Sequence, residues 1–118
     1  MCERVRQLRT EGLEADFILA TGDLAFSGKT DEYALVTEFF DAVADASGIS
    51  KQRIFCVPGN HDIDRGRQKL CFHGGRSSLS NPNLVDALFV PGEDLSTLLK
   101  RQENYRQFQS SYFEGQER

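Results

Sequence analysis

The 118-residue sequence has no tryptophan, one methionine, three prolines, three cysteines and two histidines. Each shortage excludes something. Cys2, Cys56 and Cys71 show no C-x-x-C spacing, which argues against a zinc ribbon or a dithiol redox motif. An odd, unpatterned set of thiols fits a reducing compartment, and Cys56, inside an apolar run, reads as a small buried hydrophobe. Cys71 and His73 form a lone C-x-H, which is too little for a zinc site. No apolar run approaches the roughly 18–20 residues that span a bilayer, and the charged start MCERVRQLRTEG lacks the apolar centre of a secretory leader. Positive charge is not in excess either. Fourteen Lys plus Arg against eighteen Asp plus Glu give a net charge of −4, so there is no general pull toward nucleic acid or anionic lipid. The expectation is one soluble, cytoplasmic domain over residues 1–118, of ordinary globular composition.

What is present is an alternation of helical and strand-like patterns. Val5 and Leu8 among charges predict a short surface helix over 3–11, stopped at Gly12. Asp16–Ala20 predicts a strand buried on both faces, running up to Thr21-Gly22. Thr30 suits a helix N-cap, with Asp31 and Glu32 favouring the dipole. Leu35, Val36, Phe39, Phe40 and Val43 then recur at helical spacing until Gly48. Arg53–Val57 predicts a second buried strand, closed by Pro58-Gly59. Strand, helix and strand in this order make a βαβ unit, right-handed almost by rule. Gly66–Pro82 reads as a long loop and Asn83–Phe89 as a short helix. Beyond Pro91-Gly92, one longer helix carries Leu95, Leu98, Leu99, Tyr105, Phe108 and Tyr112 on a broad face suited to packing.

The loop TGDLAFSGKT, Thr21 to Thr30, supports two chemistries. Its end resembles a nucleotide-binding loop, G-x-x-x-x-G-K-[ST]. Counting back from Gly28-Lys29-Thr30, however, puts Asp23 where the first glycine belongs, and a carboxylate there would face the phosphates. A P-loop NTPase is therefore the weakest reading. Lys29 reads as a solvated loop charge or as an attractor of substrate phosphate.

The second chemistry begins at the next strand end, Val57-Pro58-Gly59-Asn60-His61-Asp62. Glycine permits a sharp turn, and an Asn oxygen is a neutral ligand for a hard divalent ion. The His is suited to general acid catalysis and the following Asp to orienting its ring. Gly22-Asp23, at the first strand end, presents a carboxylate able to bridge two metals. Both lie at the carboxyl ends of parallel strands, where α/β proteins place their sites.

Thr21-Gly22-Asp23, AFSGKTDEY, Gly59-Asn60-His61-Asp62 and the trailing Asp64-Arg65 together resemble the calcineurin-like metallophosphoesterase family, over roughly residues 13–66. The resemblance implies a partial α/β αββα sandwich with a βαβ core, truncated at both ends, with 67–118 as loop plus helices. It implies two divalent ions (Mn, Fe, Zn or Mg), with Asp23 bridging them and Asn60 ligating one. It also implies His61 assisting the leaving group, Asp62 supporting His61, and a phosphomono- or phosphodiester substrate. The family's pattern further includes an upstream Asp-x-His, a later lone His and a Gly-His-x-His. This sequence has only His61 and His73, and His73 follows no convincing strand. A hard divalent ion takes about six ligands, so weak metal binding and little or no turnover are expected of this chain alone. A sheet missing its first strand would expose an edge for self-association. The alternative from another class is a non-catalytic interaction or ligand-sensing module on the same scaffold.

Overall fold

A computed structural model describes residues 1–67 and 80–114. Helix α1 (Cys2–Thr10) leads through Gly12 to strand β1 (Ile18–Thr21). Helix α2 (Glu32–Ser47), a 3₁₀ turn over Lys51–Arg53 and strand β2 (Ile54–Val57) complete the βαβ unit. After the undescribed stretch come α3 (Pro82–Leu88), α4 (Glu93–Leu99), a 3₁₀ turn over Lys100–Gln102 and α5 (Glu103–Tyr112). This is an α/β chain, and no helix among the described residues is long and apolar enough to cross a membrane.

β1 and β2 pair in parallel, with Ile18 opposite Ile54, Leu19 opposite Phe55, Ala20 opposite Cys56 and Thr21 opposite Val57. Burial alternates along both strands, which corrects the expectation of strands covered on two faces. Ile18, Ala20, Ile54 and Cys56 turn inward to Tyr33, Val36 and Phe40 of α2 and to Tyr105, Phe108 and Tyr112 of α5. Leu19, Phe55 and Val57 face outward and are 43–60% exposed. The apolar run fitted a doubly buried strand because both faces are apolar, yet the described residues cover only one.

α2 stops where expected, with Gly48 in the left-handed conformation at φ 74° and its N–H donating to the Ala44 carbonyl. Its start differs from the expected Thr30 cap. Asp31 occupies the cap position and makes no side-chain capping bond. The Glu32 carboxylate instead accepts from the Ser27 and Lys29 N–H groups, at 2.9 and 3.1 Å, and from the Ser27 hydroxyl at 2.7 Å. As the first residue of α2, Glu32 thereby ties the preceding loop to the start of the helix. Burial alone would raise the Glu32 pKa, but these donors hold it below its ordinary value.

The single long C-terminal helix is also corrected: the 3₁₀ turn at Lys100–Gln102 divides it. α5 supplies the fully packed part of the expected face. Tyr33 stacks on Phe108, with ring centroids 5.2 Å apart, and Phe108 stacks on Tyr112 at 5.6 Å. The Tyr105 hydroxyl donates to the Cys56 carbonyl at 3.1 Å, tying α5 to β2. Cys56 is buried, as a small hydrophobe should be, and burial pushes its thiol pKa up. α3 begins with Asn81 as N-cap, its side chain accepting from the Asn83 N–H, and Pro82 in the first turn. Cys71, His73 and most of the expected 66–82 loop lie outside the described residues.

Candidate active site at the two strand ends

Two glycines let the strand ends meet. Gly22 has φ 104°, and a Cβ there would stand 3.1 Å from the Gly59 Cα. A Cβ on Gly59 would in turn overlap the Asp23 side chain and backbone nitrogen. Any larger residue at Gly59 must therefore push the Asp23 turn away. Asp23 itself has φ 53°, a left-handed conformation that Asp tolerates better than most residues.

The carboxylate that fastens this junction is Asp62. It is fully buried. It accepts from the Leu24 N–H at 3.1 Å, the Ala25 N–H at 2.8 Å, the Gly59 N–H at 2.8 Å and the Tyr33 hydroxyl at 3.1 Å. Three of those donors are backbone groups from the two strand-end turns. Burial, reinforced by the charge of Asp62, drives the Tyr33 pKa far above its ordinary value, so its hydroxyl remains a donor. Asp62 thus binds one turn to the other, and its carboxylate accepts from the two turns and Tyr33 rather than from the His61 ring.

Around this floor stand the other expected residues. Asp23 is exposed, and its Oδ1 accepts from the His61 N–H at 3.0 Å. Asn60 is exposed between Gly59 and His61. The His61 ring is half-buried, with Nδ1 2.6 Å from the Phe26 carbonyl oxygen. Asp23, Asn60, His61 and Asp62 therefore lie at one junction. Oxygen donors such as Asp23 and Asn60 suit a hard divalent ion in kind. In number they do not make a closed site, and no cluster of three or more His, Cys, Asp or Glu among the described residues is placed to hold a metal.

The Gly28-Lys29-Thr30 segment has a structural role. A Cβ on Gly28 (φ 67°) would come within 2.7 Å of the Ile63 carbonyl carbon and 2.8 Å of the Asp64 nitrogen. Lys29 Nζ lies 2.6 Å from Asp64 Oδ1, so the lysine is an ion-pair partner rather than a free loop charge. Burial raises the Asp64 pKa, but Lys29, the Gly66 N–H and Arg67 outweigh it and hold the carboxyl below its usual range. The Asn104 amide donates to the Gly28 carbonyl at 2.7 Å and its oxygen accepts from Arg67 at 2.9 Å. Helix α5 thereby grips the site loop from behind. An apolar groove of about 430 Å³ opens beside Asp23, lined by Leu24, Phe26, Leu35 and Phe39.

Sequence reasoning missed three contributors: the Phe26 carbonyl, Tyr33 and the clamp made by Glu32. Only Glu32 carried a local signal, as an acid in the first turn of α2. Backbone acceptors and long-range tyrosine contacts leave none.

The sequence profile of the calcineurin-like phosphoesterases matches residues 2–112. An uncharacterized metallophosphoesterase-like protein of Bacillus subtilis strain 168, YydB, is 42% identical over 86 residues. That match covers 71% of this chain and 17% of the relative, so the chain spans only a small part of the relative's length. No solved structure matches.

Proposed function

The chain belongs to the calcineurin-like phosphoesterase family, and on that footing we propose that it contributes one wall of a metal-dependent phosphoester hydrolysis site. In this reading Asp23 and Asn60 are metal ligands, His61 serves the leaving oxygen, and Asp62 holds the wall together. The observation that supports it best is the junction itself. One buried carboxylate draws the Asp23 turn and the Gly59-Asn60-His61 turn against each other through three backbone N–H groups. The polar side chains of the junction's rim are left facing solvent.

A pair of divalent ions would, when bound, neutralise phosphoryl charge and lower the pKa of water. The donors described here hold such ions too sparsely to retain them, so the remaining ligands must come from elsewhere. Phosphomono- or phosphodiester hydrolysis is then an activity of the completed site, and this chain alone turns over slowly or not at all. In this reading His61 exchanges a proton with the leaving oxygen, and Asp62 serves it indirectly, by fixing the backbone on either side.

The test is Mn²⁺ binding to the purified chain, measured for stoichiometry and affinity beside Asp23→Ala. We expect binding in the millimolar range, reduced several-fold by the substitution, with no detectable hydrolysis of a generic phosphodiester. Two tightly bound ions would overturn the incompleteness of the site. Binding indifferent to Asp23→Ala would overturn its role as ligand and favour the non-catalytic scaffold.

A further inference from the structure

We infer that the Phe26 main-chain carbonyl, with the Phe26 ring beside the imidazole, is the group that orients His61 and fixes which ring nitrogen carries the proton of the neutral ring. This rests on the reading of His61 as a site residue. The place was expected to belong to Asp62, whose oxygens are instead taken by Leu24, Ala25, Gly59 and Tyr33.

A carbonyl oxygen can only accept a hydrogen bond, so the 2.6 Å contact requires the proton on Nδ1. The lone pair of the neutral ring then sits on Nε2. That is the less common form of neutral imidazole in water, so a fixed acceptor is needed to impose it. Phe26 is fixed on both sides. The Ala25 N–H is held by Asp62 at 2.8 Å, and the Ser27 N–H by Glu32 at 2.9 Å. His61 is fixed from its own backbone by Asp23 Oδ1 at 3.0 Å.

The Phe26 ring adds the second part. It is 81% exposed, an unfavourable position for a large apolar side chain. Its one ring neighbour among the described residues is His61, at 5.6 Å between centroids and 37° between planes. Lying beside the imidazole, the ring limits how far His61 can turn away from the carbonyl. Phe26 is thus a positioning residue, acting through another side chain as outer partners do for histidine ligands and bases.

The experiment is long-range ¹H–¹⁵N correlation NMR on the whole chain, labelled with ¹⁵N-histidine and free of metal, at a pH where the rings are neutral. His61→Gln separates its signals from those of His73. The expected spectrum shows His61 with the proton on Nδ1. In Phe26→Ala the ratio of Nδ1–H to Nε2–H should fall by about threefold or more, the size expected when the imidazole, no longer beside the Phe26 ring, exchanges part of this hydrogen bond for water, with the unfolding midpoint unchanged. A wild-type ring protonated on Nε2, or a ratio indifferent to Phe26→Ala, would overturn the inference. Because no metal is added, a failed Mn²⁺ experiment leaves this result standing, and the reverse also holds.

Discussion

At the floor of the strand-end junction, Asp62 is fully buried and receives four hydrogen bonds, whereas at its rim Asp23 is exposed and receives one. Both are aspartates on the same two turns. The floor carboxylate has exchanged its water for protein donors, and removing it would leave the buried Ala25 N–H and the part-buried Leu24 and Gly59 N–H groups without their acceptor. The rim carboxylate keeps its water and costs little to keep or lose. The comparison separates what holds the site together from what the site can do. A family resemblance read from sequence treats Gly-Asp and Gly-Asn-His-Asp as equal letters, and the structure divides them into a buried support and an exposed rim.

The sharpest way to break the division is to force floor and rim apart. Gly59→Ala places a methyl group against the Asp23 turn, and overpacking against fixed backbone costs about 1–3 kcal/mol. We expect a loss at the upper end of that range in urea unfolding. Retention of full stability would mean that the two turns do not meet as described.

A smaller effect should appear in acid. The Asp64 pKa is depressed in the fold, because Lys29 and the Gly66 N–H outweigh burial, and that of Glu32 is depressed by the Ser27 and Lys29 donors. A depressed folded pKa contributes stability above the unfolded value of about 4. That contribution is lost as pH falls through the lower folded value. Stability should therefore decline below about pH 4, and Asp64→Asn should flatten the decline. An unchanged acid profile in Asp64→Asn would show that the Lys29 pair contributes nothing measurable.

Much of this was legible beforehand, for identifiable reasons. The βαβ order followed from two short apolar runs flanking a helical stripe, and Gly48 marked the end of α2 because its left-handed turn suits glycine. Asp23, Asn60 and His61 could be brought together because parallel strands deliver their carboxyl ends to one side. The rest depended on distance in space. Thr30 looked like a cap by type, but the helix starts one residue later, and the first N–H groups of α2 donate to the main-chain carbonyls of Lys29, Thr30 and Asp31. The break at Lys100–Gln102 interrupts a face that stays apolar across it, so periodicity passed over it. Asp62 was assigned to His61 by adjacency along the chain, although its partners lie 29–38 residues away, apart from Gly59. The outer sheet face was read as buried because hydrophobicity reports what a residue favours, not what covers it.

The most direct test of the division is urea unfolding of Asp62→Asn beside Asp23→Asn, two isosteric changes in the same junction. Asparagine at 62 keeps one acceptor oxygen and turns an NH₂ group toward backbone N–H donors, so a loss of about 2–4 kcal/mol is expected. At 23 the change should stay within about 0.5 kcal/mol. Equal losses at the two positions, or a larger loss at Asp23, would contradict the account of a buried floor that supports an exposed rim.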